Sequence, residues 1–491
     1  MKPLFASLPR HAVLIAIVAV LVHVVTAWNS SGYHSADEHH QVIGFAQHKL
    51  GELPPGQLAW EYPTGIRSSI QPWVAAGTMV MARSVGLTDP LHQAFLLRLL
   101  SALLALVAVR AFVRAARDQL PNDLQQPFIL LTIGLWFLPY LHVRFSSEGW
   151  SASFLLLGLA ALLRGSDKDA RWTWQAGGAM AVAVLVRPST GVIAAGALAW
   201  LIVILRPGPR PLIQVVLAVL LTVVLGAVAD SLFYGRAVLS TWNYWMMALS
   251  GPPREAFDTL PWYYYAPWVV KYATPPIGAA LLAAYGVVLV RDPRHLLIWC
   301  ITPMLVVLSL VPHKELRFLH PLADLAPLLI VLAVAHLPER MKAVPTLLRQ
   351  FFVGGLVLIN LAALTVVMMR PAGNGTTGLV PMMRDAGPVT YLIEPVDSWR
   401  IEVPPFYRSM VAGDTVIAPA AVRGPLATPL VVARDADIAL LQARSAQQFE
   451  PLARTATYWQ EHAMRWYTWS EGGVPWTLYR VHAAGPAHAR D

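Results

Sequence analysis

Between residues 34 and 69 the chain reads HSADEHHQVIGFAQHKLGELPPGQLAWEYPTGIRSS. Two adjacent carboxylates, Asp37 and Glu38, precede a short amphipathic run, a Pro/Gly turn, and then Trp60, Glu61 and Arg67. A carboxylate held at a membrane surface can act as general base on a hydroxyl. The residue types equally allow a solvated charge pair or a helix N-cap, since Asp favours that position and acids favour a first turn. Neighbouring residues on a helix point about 100° apart, so one acid alone should face a reacting group. Asp37 has the shorter arm and stands nearer the preceding apolar segment, which favours it as the base, with Glu38 left to pair an Arg or hold an acceptor hydroxyl. His34, His39, His40 and His48 do not reproduce the spacing of any trusted ligand set. Hydrogen-bonding histidines are the expectation, with no metal and no cofactor.

A second group of charges lies at the ends of apolar runs: Arg144 with Glu148, Arg187, and the cluster His313, Lys314, Glu315 and Arg317. Charges here are costly unless paired or solvated, and a single one is easily a snorkelling anchor. Together they read as a pairing and anion-binding network. Arg grips a phosphate in bidentate fashion and Lys as a point charge. The stretches TWNYW and PWYYYAPW, which include Tyr264, fit an interfacial aromatic belt or a surface that stacks on a sugar or wraps a prenyl chain; both readings stay open.

The elements that must position these residues are apolar. Of 491 residues, 56% are hydrophobic and only 13% charged, against roughly 25% charged in a soluble domain. With so few charges the chain reads as an integral membrane protein. The net charge of +9 is concentrated in short basic loops rather than in a compact basic domain, which argues against nucleic acid as a partner. A single cysteine, Cys300, excludes a disulfide framework. The first apolar run, His11 to Trp28, reads as a signal anchor. Further runs lie near 91–113, 126–142, 149–163, 174–187, 190–206, 212–233, 270–290, 296–311, 321–337 and 350–370, giving about eleven spans. The segment QPWVAAGTMVMARSVGL is expected to be an interfacial helix. Under strict alternation the basic loops all fall on one side: Arg110, Arg114 and Arg117; Arg164, Lys168 and Arg171; Arg206 and Arg210; Arg291 and Arg294; Arg340, Lys342 and Arg349. The positive-inside rule makes that side cytosolic. The 28–89 loop, the charged turns and the tail then face outward.

The order DEHHQ, WEYPTGIRSS, VRFSSE, VRPST, DSLFYG with TWNYW, PWYYY and HKELRF resembles family 22 of the glycosyltransferases. These are the polyprenyl- or dolichyl-phosphate-mannose-dependent α-mannosyltransferases of GPI-anchor and N-glycan assembly. The resemblance covers about residues 30–325. It implies a GT-C fold with a catalytic first outer loop, a lipid-phosphate sugar as donor, and catalytic acids matching Asp37 and Glu38. It also implies substrate contacts at Trp60, Glu61 and Arg67 and an HKE–RF motif at His313, Lys314, Glu315, Arg317 and Phe318. The sequence departs from the family at Tyr62, where Trp is expected, and in a tail without the Cys- and His-containing pattern of eukaryotic members. With an Ala- and Arg-rich composition, this points to a bacterial inner membrane with an extracytoplasmic site, or to an ER membrane with a luminal site if the chain is eukaryotic.

The expected architecture is a polytopic all-α membrane protein of GT-C type over residues 1–370, with 28–89 as the catalytic loop. A small α/β extracytoplasmic domain is expected over 371–491. The expected function is inverting transfer of a sugar, mannose foremost, from a polyprenyl-phosphate donor to a hydroxyl of a lipid-linked or cell-envelope glycan, among membrane lipid. A GT-C enzyme moving aminoarabinose or another hexose to lipid or protein is the alternative, and a transporter or flippase the competing class; the latter should show paired halves and mid-span binding residues.

Overall fold

The computed structural model describes residues 10–165, 171–250, 259–337, 345–373, 375–384, 386–395, 403–404, 406–408, 414–456 and 475–482. Lys168, Arg340, Lys342 and the Trp/Tyr-rich stretch 458–474 lie outside them. The chain forms two compact units. One comprises Met1–Ala27, Ala59–Thr78 and Leu96–Met368; the other comprises Trp28–Leu58, Met79–Phe95 and Met369–Asp491.

Apolar composition makes the first unit helical, because lipid offers backbone groups no partner outside a helix. Among the described residues, five helices are long and apolar enough to cross a bilayer: Ala12–Asn29, Pro90–Gln119, Pro188–Leu205, Pro209–Tyr234 and Thr346–Met368. Two bent pairs, Pro275–Arg291 with Leu296–Leu310 and Leu316–Ala323 with Ala326–Ala335, raise the number to seven. The sequence led us to expect about eleven. The difference lies in runs that fold as shorter helices. Residues 126–142 break at Leu135 into Asn122–Gly134 and Leu138–Val143. Ser147–Leu163 and Arg171–Val186 have 17 and 16 residues, roughly 25 Å at 1.5 Å per residue, short of the ~30 Å hydrocarbon core. Both are largely buried in protein.

Small residues let these helices approach closely, as in other membrane bundles. A Cβ on Gly177 would come within 2.6 Å of the Val215 carbonyl oxygen, and one on Gly196 within 2.0 Å of that of Trp299. Around these contacts lies one apolar core including Phe112, Phe128, Leu159, Ile193, Val288 and Met304. The same unit holds a buried polar line: His23 Nδ1 meets the Ala19 carbonyl at 2.7 Å, His23 Nε2 meets His142 Nδ1 at 2.9 Å, and His142 Nε2 meets Asp324 Oδ1 at 2.7 Å.

The second unit holds a five-stranded sheet of order β2-β1-β3-β5-β4. Its strands are β1 (Val389–Leu392), β2 (Thr415–Ile417), β3 (Leu430–Ala433), β4 (Gln448–Arg454) and β5 (Thr477–His482). β1 runs parallel to β2 and β3, while β5 is antiparallel to β3 and β4. The central strand LVVA is buried on both faces, as its unbroken apolar run requires. Leu430 and Val432 pack with Tyr391, Trp476 and Met383; Val431 and Ala433 pack with Leu441, Phe449 and Tyr479.

Candidate active site

In the second unit, Asp37 stands immediately before a wide helical turn, Glu38–Ile43, that leads into the helix Gly44–Lys49. Glu38 is 5% exposed. Its Oε1 accepts from the His34 amide at 2.9 Å and from the Ser35 amide at 3.4 Å, so it closes the turn ahead of it. Asp37 remains partly exposed. The two acids differ in setting: Asp37 is accessible, whereas Glu38, expected to pair an Arg or hold an acceptor hydroxyl, instead accepts from backbone amides. His39 is buried among Tyr33, Phe406 and Tyr407, with ring centroids 5.0–6.2 Å away. The His48 ring hydrogen-bonds the Leu53 carbonyl at 2.8 Å. Among the described residues no three His, Cys, Asp or Glu side chains gather as metal ligands would.

In the first unit the segment WEYPTGIRSS is clamped along its length. Asp230, fully buried near the end of Pro209–Tyr234, takes the Ser69 amide and hydroxyl on Oδ1, both at 2.7 Å. Its Oδ2 accepts from the Ser240 hydroxyl and, at 3.4 Å, the Ser240 amide. One carboxylate thus satisfies donors at the starts of two helices, Ile70–Ser84 and Ser240–Ser250, where amides lack intrahelical partners. The Tyr234 hydroxyl donates to the Arg67 carbonyl at 2.7 Å, Arg236 to that of Pro63, and Asn243 to those of Thr64 and Gly65 at 3.3 and 3.2 Å. Gly65 adopts φ +63°, with Val238 and Asn243 3.2–3.4 Å from where a Cβ would stand, a turn suited to glycine. Held this way, Arg67 lies 3.5 Å from the buried carboxylate of Glu61. Trp60 is 58% exposed.

The charged turns converge on Glu148. Ser146 caps the helix Ser147–Leu163 through the Gly149 amide at 3.1 Å and sets Glu148 in its first turn, where the helix dipole favours an anion. The VRPST turn docks beside it, with Ser151 on the Thr190 hydroxyl at 3.1 Å and Thr190 on the Arg187 carbonyl at 2.7 Å. Arg187 is thereby placed 3.1 Å from Glu148, and Arg317 lies 3.8 Å from the same oxygen. Both guanidinium groups lie over Phe318, at 5.7 and 5.9 Å. Arg317 also grips Glu315 through Nε and Nη2, the latter at 3.0 Å, and His313 Nε2 meets Glu315 at 2.9 Å. Burial opposes ionisation of Glu315, but the Arg317 and His313 partners outweigh it and hold the carboxyl below its ordinary value.

Two expected residues are placed differently. Lys314 turns inward, and its ammonium donates to the carbonyls of Leu308, Ser309 and Val311. All three of its hydrogens cap the end of Leu296–Leu310, and burial pulls the ammonium below the usual lysine value. Tyr264 packs edge-on against Trp268 at 4.8 Å; its neighbour Tyr265 meets Lys314, the ammonium 5.8 Å from its ring. Arg144 is buried with its guanidinium 5.3 Å from the Tyr140 ring. Asp230, Tyr234, Asn243 and Tyr265 were missed as individual residues. For Asp230 the signal was available, since an acid inside an apolar run is a functional or structural anchor by default.

The helices and tail sheet together have the architecture of a GT-C membrane protein. ArnT from Cupriavidus metallidurans in the apo state superposes with a TM-score of 0.54 at 15% identity over 97% of this chain and 99% of that one. The same protein bound to undecaprenyl phosphate gives 0.53 at 14% identity, with the same coverage. At such identity the likeness is one of fold alone. The sequence profile of the Alg9-like mannosyltransferase family matches residues 13–380, and the chain belongs to that family. It is similar to the protein named GPI mannosyltransferase 3 of Yarrowia lipolytica, 26% identical over 72% of this chain and 66% of that protein. It is likewise similar to that of Drosophila melanogaster, 25% over 66% and 56%, and to GPI alpha-1,2-mannosyltransferase 3 of Danio rerio, 23% over 62% and 55%. The matches span less than two thirds of these relatives' own length. These relatives are eukaryotic, and they lend no support to the bacterial membrane expected from composition.

Proposed function

We propose that the chain is an inverting mannosyltransferase that uses a polyprenyl-phosphate mannose donor and a hydroxyl of a lipid-linked glycan as acceptor. The observation that carries this reading is the family match over residues 13–380, which runs through every motif described above. In the proposed reaction the acceptor oxygen forms a bond to the anomeric carbon as the bond from that carbon to the phosphate oxygen breaks. Asp37 takes the hydroxyl proton, and the lipid phosphate monoester leaves with the bonding electrons. Arg187 and Arg317 receive its growing charge; fixed cations lower a barrier most when they need no reorganisation, and Glu148 pre-orients both. Glu61 and Arg67 contact the sugar or acceptor, with Trp60 as a stacking face. The donor carries one phosphate, not a diphosphate, so the reaction is proposed to need no divalent ion. The site faces away from the cytosol, toward the lumen or cell exterior.

The test is turnover by purified protein in nanodiscs with a panel of polyprenyl-phosphate sugars and glycolipid acceptors. Transfer from the mannose donor, persisting in EDTA, is the expected result. Transfer only from another sugar would move the chain's substrate while keeping its chemistry. No transfer from any lipid-phosphate sugar, with a glycolipid moved across the membrane instead, would replace the enzyme reading by a flippase.

A further inference from the structure

The acidic turn and the C-terminal sheet belong to one compact unit, tied at three places. The Ala372 amide donates to the Ser31 carbonyl at 2.8 Å. Arg384 holds both oxygens of Asp89 at 3.1 Å. Between them in character, and nearest the chemistry, the Tyr407 hydroxyl meets His39 Nε2 at 3.3 Å. His39 stands two residues beyond Asp37, in the first residues of the wide turn. Its ring is enclosed by Tyr33, Phe406 and Tyr407, and Phe406 and Tyr407 are themselves buried. Glu38 closes the backbone before Asp37 through the His34 and Ser35 amides.

From this geometry we infer that the C-terminal domain is a positioning device for the acidic turn, with Tyr407 as the residue that acts through His39 on the placement of Asp37. A wide helical turn is an uncommon conformation that tends to mark functional sites, and here aromatic packing from a distant part of the chain encloses it. A base must sit within hydrogen-bond reach of the proton it takes, and misplacement by about 1 Å costs up to about a hundredfold in rate. The tail therefore sets how often Asp37 is in reach, rather than how well the donor binds. The kinetic part of this inference rests on Asp37 being the base; the structural tie does not.

The test is hydrogen exchange on the full-length protein in nanodiscs, comparing wild type with Tyr407→Leu and His39→Leu. It is paired with kinetics on decaprenyl-phosphate mannose and an alkyl α-mannoside acceptor. Both variants should speed exchange of the amides of residues 38–43 at least tenfold while leaving helix Asp435–Ser445 protected. Both should lower kcat by about ten- to a hundredfold with the donor KM within twofold. Should Tyr407→Leu unfold the tail, His39→Leu alters the turn alone and decides the question. Unchanged exchange at 38–43 in His39→Leu overturns the tie. Faster exchange with unchanged kcat overturns the positioning role. A fully active Asp37→Asn, measured beside them, would instead remove the base assignment and leave the exchange result standing.

Discussion

Asp37 keeps access to solvent, whereas Glu38 gives one carboxylate oxygen to two backbone amides. Asp37→Asn, which preserves shape and removes the basic charge, should therefore cut turnover about 10²–10⁴-fold without loss of donor binding, as read by kcat and by a donor-binding isotherm. Glu38→Ala should act first on the fold, costing about 1–3 kcal/mol for a buried acceptor lost and visible as a lower unfolding midpoint. Arg317→Ala should raise the donor KM, and Arg317→Lys should restore it only in part, because an ammonium cannot reproduce the two-pronged grip. Lys314→Ala should leave the donor KM unchanged and lower stability, since its ammonium caps three carbonyls. Glu315 supplies the acid side of the pH profile. Its folded carboxyl lies below the ordinary value, so its contribution is complete above the unfolded value of about 4.3. That contribution is lost as the pH falls through the lower folded value. The acid limb of a stability-against-pH curve should flatten in Glu315→Gln.

At the scale of elements, the segment from Trp60 to Ser69 is shaped from outside itself. Asp230 heads two helices at once, and Asn243, Tyr234 and Arg236 hold the carbonyls of the turn. Asp230→Ala strips four donors of their acceptor and should cost about 3 kcal/mol or more, read as loss of folded protein in thermal unfolding. Asn243→Ala should be milder. Helix contact at Gly196 leaves no space for a methyl group, so Gly196→Ala should force Leu296–Leu310 away and lower the unfolding midpoint. The sequence made the apolar helices, the acidic turn and the charged turn ends legible because hydropathy and charge are local properties. The inward turn of Lys314 was not legible, since the three carbonyls it caps become available only where Leu296–Leu310 ends. Nor was the Asp230 clamp, whose partners lie 10 and 161 residues away.

For the whole molecule, the apolar tail runs TVIAPAAV and ATPLVVA contain β2 and β3, but the sheet order follows from pairings distant in sequence and is not legible from such local runs. The basic loops predict a cytosolic N-terminus and an outward tail. A phosphatase reporter fused after Asp491 should be active, and a fluorescent reporter that matures only in the cytosol should be dark. The opposite result would place the acidic turn on the cytosolic side, away from the face proposed for the chemistry. The line from Ala19 through His23 and His142 to Asp324 has its own consequence. It fastens the first span, through His23, to the bend between His320–Ala323 and Ala326–Ala335 by directional side-chain contacts that apolar packing does not supply. Asp324→Asn, which brings its own N–H to His142, should keep helix Ala12–Asn29 in place, while Asp324→Leu should release it.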